Sequence, residues 1–143
     1  MHDPDMREIN ESDQLVRVRA LGAFIAESAR SKVVREDGSP PRYYLPFEDV
    51  HAGVLEPHSA KTHCPWKGDA SYWDVLMDAG HVPVAAWTYR EPLPEAEPIR
   101  DLVCFFQERP EIEVEVDGVP AEAPSTRWST SDWAEAAQTQ TRV

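Results

Sequence analysis

Seven consecutive positions hold a hydroxyl, an imidazole, a thiol, an indole and an ammonium group, in the segment Thr62-His63-Cys64-Pro65-Trp66-Lys67-Gly68. Proline fixes the backbone after Cys64, and glycine permits an unusual dihedral angle after Lys67. A loop restrained in this way presents its side chains in a fixed direction, as binding and catalytic loops do. The alternative is a tight turn in which Trp66 fills the core and Lys67 stays solvated. The residue types alone leave both interpretations open.

Cys64 and Lys67 are the two candidates for a reactive group. A neighbouring imidazolium lowers the pKa of a thiol, and His63 is adjacent to Cys64 in the chain. Adjacent residues of a strand point to opposite faces, however, so a base would have to be supplied by another histidine: His51, His58 or His81. A buried thiol that packs a turn is the commoner role for a free cysteine, and Cys104, in an apolar run, is interpreted as a core residue.

The histidines also raise the question of zinc. His51, His58 and His63 are spaced by seven and five residues, which matches no standard pair of zinc ligands. The sequence therefore predicts no metal site. It identifies no cofactor either.

Cations and aromatic rings concentrate on either side of this segment. Arg42 opens a predicted strand at Tyr43-Tyr44, and Arg90 closes another at Trp87-Thr88-Tyr89. If both strands flank the turn, guanidinium and ammonium groups line one cleft with flat rings, which suits a small anionic or aromatic ligand. The predicted ligand-binding residues are Arg42, Tyr43, Cys64, Trp66, Lys67, Tyr72, Trp87 and Tyr89. The alternatives are cross-strand packing covered by the cations, or a homodimer interface.

The elements that would position these residues are mostly strands. Period-two alternation or β-branched and aromatic composition predicts a hairpin at 14–26 with its turn near Leu21-Gly22. It predicts further strands at 32–35, 42–45, 70–77, 82–89, 99–106 and 111–118. A short helix or turn is expected within 47–55, and a proline-rich surface connection from Glu91 to Pro98. The acidic row Glu111, Glu113, Glu115 and Asp117 is interpreted as the solvated face of an edge strand. We predict a mainly β, compact single domain, sheet-on-sheet or barrel-like, with one or two short helices.

Length and charge limit the classes of protein. The 143 residues suit one domain, predicted at 14–118 between a flexible leader at 1–13 and an Ala/Pro/Ser/Thr-rich tail at 119–143 with anchors at Trp128 and Trp133. The formal net charge of −12 argues against nucleic acid and anionic membranes as partners. No apolar run approaches a membrane span, and the acidic N-terminus is unlike a secretory signal. A cytoplasmic location is expected.

Several motifs occur in a familiar order: Arg42-Tyr43-Tyr44-Leu45-Pro46, Asp49-Val50, Cys64-Pro65-Trp66-Lys67-Gly68 with Ala70 and Tyr72, Ala86-Trp87-x-Tyr89 with Pro92, and Val114-x-Val116-Asp117-Gly118. From about Val16 to Gly118 the chain resembles the family catalogued as domain of unknown function 427, sometimes labelled nucleotidyltransferase-like. The resemblance implies a compact β-rich domain. The label implies a transferase, but the paired carboxylates that follow a Gly-Ser turn in such enzymes do not occur, since Gly38-Ser39 leads into Pro40-Pro41.

The leading hypothesis is therefore a domain that binds a small anionic or aromatic metabolite around the Cys-Pro-Trp-Lys-Gly turn. An enzyme that uses Cys64 or Lys67 is the alternative, with transferase-like or thiol and lysine chemistry. A homo-oligomeric interaction module is the third.

Overall fold

The computed structural model describes residues 7–123, and these residues are mainly β. Their strands are β1 (Arg7–Glu11), β2 (Val16–Ala20), β3 (Ala23–Ser28), β4 (Lys32–Glu36), β5 (Arg42–Pro46), β6 (Leu55–Cys64), β7 (Gly68–Met77), β8 (Gly80–Thr88), β9 (Leu102–Phe105), β10 (Ile112–Val116) and β11 (Val119–Pro120). Two short 3-10 helices, Phe47–Asp49 and Pro94–Ile99, lie between strands. No helix within 7–123 has the length and apolar character needed to cross a membrane.

The strands form two antiparallel sheets. The large sheet has seven strands in the order β1-β4-β5-β9-β8-β7-β6, and the small sheet has four in the order β11-β10-β2-β3. The prediction of a mainly β fold with one or two short helices is confirmed. Of the two predicted arrangements, sheet-on-sheet and barrel-like, the first is correct for residues 7–123, because neither sheet closes into a barrel.

Period-two alternation gives the large sheet two different apolar faces. In β9, Val103 and Phe105 face the small sheet, whereas Cys104 points to the opposite side. In β5, Leu45 faces the small sheet and Tyr44 points away from it. One apolar cluster, the inter-sheet core, therefore lies between the sheets. A second cluster, here called the outer core, covers the other face and includes Ala96 and Ile99 of the second 3-10 helix.

A bulge in β8 changes which residues reach each core. Val82 and Ala86 belong to the inter-sheet core, but Val84 and Trp87 belong to the outer core. Strict alternation would place 82, 84 and 86 on one face. Val84 instead adopts a left-handed conformation (φ 51°), and its N–H donates to Asp74 Oδ1 at 2.8 Å. This bulge places Val84 in the outer core, whereas Ala86 and Trp87 keep the faces that alternation from Val82 gives them.

The large sheet curls until its two ends touch through side chains. In a flat sheet, β4 and β7 would lie about 19 Å apart because three strands separate them. Glu36, at the end of β4, nevertheless accepts hydrogen bonds from Trp66 and Lys67 in the β6–β7 turn. The Arg7 guanidinium of β1 lies 4.9 Å from the centre of the Trp66 ring. We call these contacts among Arg7, Glu36, Trp66 and Lys67 the seam, and it makes the outer face concave.

Most predicted strands are present, with bounds that differ by a few residues, but two regions differ more. The leader predicted at 1–13 contains β1, which pairs with β4 from Arg7 to Glu11. Residues 55–64, predicted as part of a turn region and a loop, form the ten-residue strand β6. The proline-rich connection contains the 3-10 helix Pro94–Ile99. Residues 1–6 of the leader and 124–143 of the tail, including Trp128 and Trp133, lie outside the described residues.

The acidic row differs from its prediction as well. β10 is not a simple edge strand, because it pairs with β2 along its length and with β11 from Glu115 onward. Glu113 is exposed as expected and lies 3.6 Å from Arg19. Asp117 is part of a turn rather than of a solvated face, since its carboxylate accepts the Leu15 N–H at 2.9 Å.

Candidate functional site

A cavity of about 230 Å³ opens on the concave face of the large sheet. Side chains from β4, β5, β7 and β8, together with the turns beside them, form its walls. The lining residues are Val34, Glu36, Ser39, Pro40, Arg42, Lys67, Tyr72, Trp87, Tyr89 and Phe106.

The aromatic lining follows from strand geometry. Tyr72 and Trp87 are directly opposite each other in the pairing of β7 with β8. Phe106 follows β9 and packs against both rings, 6.2 Å from the Tyr72 centroid and 4.4 Å from the Trp87 centroid. Tyr89 lies two residues beyond Trp87 and so shares its face. The cavity therefore has a floor and walls of flat rings.

Arg42 lies over this floor and is held by a carboxylate. Both of its terminal nitrogens donate to Glu108 at 2.7 Å, and the guanidinium carbon is 5.2 Å from the centre of the Trp87 ring. The two charged side chains are only 18% and 19% exposed. Burial alone would lower the pKa of Arg42, but the hydrogen bonds and charge of Glu108 outweigh it and the pKa is raised. Arg42 is thus a fixed, permanently charged donor.

Lys67 supplies the second cation from the β6–β7 turn. Its ammonium nitrogen donates to Glu36 Oε1 at 2.9 Å, and the side chain is 11% exposed. The same nitrogen lies 5.2 Å from the centre of the Trp66 ring and 5.6 Å from that of Tyr89. Each cation of the cavity therefore has an aromatic ring on one side and a carboxylate on another.

The turn that carries Lys67 is fixed by its backbone. Gly68 has a left-handed φ of 109°, and a Cβ at this position would lie 3.3 Å from the Glu91 carbonyl oxygen. The Lys67 carbonyl accepts the Leu93 N–H at 3.0 Å. The glycine thus permits the connection after β8 to pack against the turn and hold it in place.

The tyrosines of the cavity remain neutral hydroxyl groups at physiological pH. Burial raises the pKa of both Tyr72 and Tyr89. The Tyr72 hydroxyl hydrogen-bonds Thr62 Oγ1. The Tyr89 hydroxyl has no hydrogen-bond partner among residues 7–123. It is available to a bound molecule as donor and acceptor.

The thiols lie in the outer core and have no base beside them. Burial raises the pKa of the Cys104 thiol to about 12, against a smaller opposing effect of Arg42. Cys64 is half-buried at the end of β6 and packs against the same core. His63 points away and pairs with Asp69 at 2.7 Å. Among residues 7–123, no histidine is hydrogen-bonded to either cysteine, so the arrangement offers no thiol–imidazole pair.

The structure brings together five of the eight predicted ligand-binding residues: Arg42, Lys67, Tyr72, Trp87 and Tyr89. Tyr43 lies on the opposite face of β5 and packs against the inter-sheet core. Trp66 belongs to the seam rather than to the cavity wall, and Cys64 lies outside the lining.

Arg90, a further candidate cation, lies near Asp101 at 3.8 Å and over Trp73 at 5.3 Å, away from the cavity lining.

Sequence reasoning missed the two carboxylates and the β4–β5 turn. Glu36, Ser39 and Pro40 line the cavity, and Glu108 lies behind Arg42. The turn-forming residues Gly38-Ser39-Pro40-Pro41 directly precede Arg42 in the chain, and this was a hint that the turn lies beside the site. Within residues 7–123, no three histidine, cysteine, aspartate or glutamate side chains are grouped so as to hold a metal ion.

A family model described as Domain of unknown function (DUF427) matches residues 8–118, more than half of the chain. The match includes β2 to β10 and all ten residues that line the cavity. It begins nearer the N-terminus than the motifs indicated and confirms the family resemblance. No curated protein of similar sequence was found.

Proposed function

The chain belongs to the family of domain of unknown function 427, and we propose that it binds a small metabolite with a flat ring in the concave cavity. The observation that carries this proposal is the enclosure of two cations by aromatic rings around one open space, with Arg42 against Trp87 and Lys67 against Tyr89. A flat ring stacks on such walls, while the cations and hydroxyl groups bind its polar substituents.

The burial of these charges supports a function over simple packing. Taking an ion pair out of water costs free energy that its attraction offsets only in part, and apolar side chains often stabilise such a position better. Two ion pairs at the walls of one cavity, Arg42–Glu108 and Lys67–Glu36, are therefore a costly way to fill a core. A cavity of about 230 Å³ left between them suits a small ring with a polar substituent.

A thermal-shift screen on the full chain tests the proposal. Its panel contains aromatic carboxylates, aromatic amines, aromatic amino acids, nucleobases and nucleotides. We expect at least one class to raise the melting temperature of the wild-type protein, and Lys67→Met to abolish that rise. Lys61→Met is the matched control, because Lys61 is exposed on β6 and donates to Ser71 rather than to a cavity residue.

A second pair of variants separates binding from general damage. Tyr89→Phe removes a hydroxyl that faces the cavity lining, and Tyr43→Phe removes one from the opposite face of the sheet. A true ligand loses affinity with the first variant and keeps it with the second. The proposal fails if no compound gives a shift, or if Lys61→Met and Tyr43→Phe weaken the shift as much as their partners do.

The proposal extends to the setting of the protein. Both cysteines are free, which supports a reducing, cytoplasmic compartment. The net charge of −12 supports small molecules over nucleic acid as partners.

A further inference from the structure

We infer that the bound molecule is net neutral and carries both a carboxylate and an ammonium group beside its ring, as an aromatic amino acid does. This inference rests on the binding function proposed above and narrows it to one ligand class. It follows from the balance of charge around the cavity rather than from the cations alone.

The fixed charges at the cavity cancel. The guanidinium of Arg42 is paired with Glu108, and the ammonium of Lys67 is paired with Glu36. Each of these carboxylates lowers the attraction of the neighbouring cation for a plain anion. An anion would also enter a chain whose formal net charge is already −12.

Both signs of charge keep hydrogen-bonding capacity for a ligand. A guanidinium has five N–H donors and an ammonium has three. The terminal nitrogens of Arg42 each direct one donor to Glu108, and Lys67 directs one to Glu36, so donors remain at both groups for a ligand carboxylate.

Glu36 supplies the complementary site. It is the only carboxylate that lines the cavity among residues 7–123, and its side chain is 35% exposed. Its two oxygens accept from Lys67 and, at 3.4 Å, from the Trp66 indole. A carboxylate has about four acceptor positions, so Glu36 has room for a ligand ammonium group.

A ligand with both groups leaves every charge compensated. A lone carboxylate would bind the two cations but place a negative charge near Glu36. A lone ammonium would bind Glu36 but lie close to Lys67 and Arg42. With both groups present, each charge of the ligand meets its opposite, and the ring packs against Trp87 and Tyr89.

Isothermal titration calorimetry on the full chain tests this with four probes that share one ring. Phenylalanine carries both charges, 3-phenylpropanoate only the carboxylate, phenethylamine only the ammonium, and 3-phenylpropan-1-ol neither. We expect phenylalanine to bind at least about tenfold more tightly than each of the other three, because each analogue lacks at least one charge-assisted hydrogen bond to a wall group.

Two substitutions identify the wall group. Glu36→Gln removes the carboxylate, and we expect it to reduce the preference for phenylalanine over 3-phenylpropanoate by about tenfold. Glu56→Gln is the control, because it makes the same change of charge on an exposed residue of β6 outside the cavity lining. Thermal melts of both variants verify that they fold.

The outcomes separate the two proposals. If 3-phenylpropanoate or phenethylamine binds the wild-type protein as tightly as phenylalanine, or if Glu36→Gln leaves the preference unchanged, the zwitterion inference is wrong and the binding function stands. If none of the four probes binds while another class in the thermal-shift panel does, the inference is also wrong. Only the absence of any Lys67-dependent ligand overturns the function itself.

Discussion

The ion pair between Arg42 and Glu108 permits a quantitative test of how the cavity's charges are held. Both guanidinium hydrogen bonds are 2.7 Å long, and the side chains are 18% and 19% exposed. Exposed pairs contribute about 0.2–1 kcal/mol, and removing one partner of a fully buried pair costs about 3–5 kcal/mol. Because this pair lies between the two cases, we expect Arg42→Met or Glu108→Gln to lower the free energy of unfolding by about 2 kcal/mol.

The double variant isolates the interaction itself. Once Arg42 is gone, Glu108 has no partner to lose, so the second substitution costs less than it does alone. We expect Arg42→Met with Glu108→Gln to cost about 1–2 kcal/mol less than the sum of the single variants. Urea unfolding at neutral pH, followed by tryptophan fluorescence, measures all four proteins. Arg19→Met with Glu113→Gln is the control, because that pair is 3.6 Å apart and exposed, and its coupling is expected to be about 0.5 kcal/mol or less.

Additivity would refute the reasoning. If the costs of Arg42→Met and Glu108→Gln sum to that of the double variant within about 0.5 kcal/mol, the two groups are not energetically coupled. The inference of a zwitterionic ligand rests on two ion pairs at the cavity, and it would then have only the Lys67–Glu36 pair to support it. An equal coupling energy between Arg19 and Glu113 would be a second contradiction, because it would show that burial does not strengthen the coupling between Arg42 and Glu108.

Two further predictions concern local structure, and the same urea measurements check both. Gly68→Ala should lower the free energy of unfolding by about 2–3 kcal/mol, and Gly53→Ala by about 1 kcal/mol. Both glycines have left-handed φ angles, which strain an alanine. Of the two, only Gly68 would also bring the new Cβ against a backbone atom, the Glu91 carbonyl oxygen. Equal losses would argue against that close approach. Hydrogen bonds from Arg30 hold the pKa of Asp49 in the folded protein below the usual 3.8. The Asp49 carboxylate therefore stabilises the fold fully above the unfolded pKa, and this stabilisation is lost as the pH falls through the folded pKa. The stability difference between wild type and Asp49→Asn should therefore be constant from about pH 7 to about pH 5 and shrink below about pH 4, and a difference that grows in acid would contradict the assignment.

Most strands were predictable because their residues alternate or are β-branched. β10 has strict alternation, and β2 and β3 flank a clear turn signal. β1 and β6 lack these signals. β1 has a single apolar residue among five, and it is a strand because it pairs with β4. β6 contains Pro57 and two histidines, and a register shift between His58 and Lys61 removes any period.

The site was predictable in place but not in full composition. Alternation puts Arg42 and Tyr44 on one face of β5 and Tyr43 on the other, yet two tyrosines in succession give no sign of which one belongs to the outer core. Glu36 and Glu108 were not predictable, because both contacts join residues more than 30 positions apart. Glu108 reaches Arg42 through the pairing of β5 with β9, and Glu36 reaches Lys67 only through the curl of the sheet. Sequence patterns of short range carry no information about that closure.

The seam is a closure made of side chains, and it differs in that respect from the pairing of strands inside the sheet. Within residues 7–123, no backbone hydrogen bond joins β1 or β4 to the β6–β7 hairpin, so only side chains close that edge. Rotation of Lys67 and Trp66 away from Glu36 would break these seam contacts while every strand keeps its neighbours. Side-chain rotation is far faster than the separation of paired strands. We therefore expect the opening of the seam to depend on a few rotamers rather than on unfolding of the sheet.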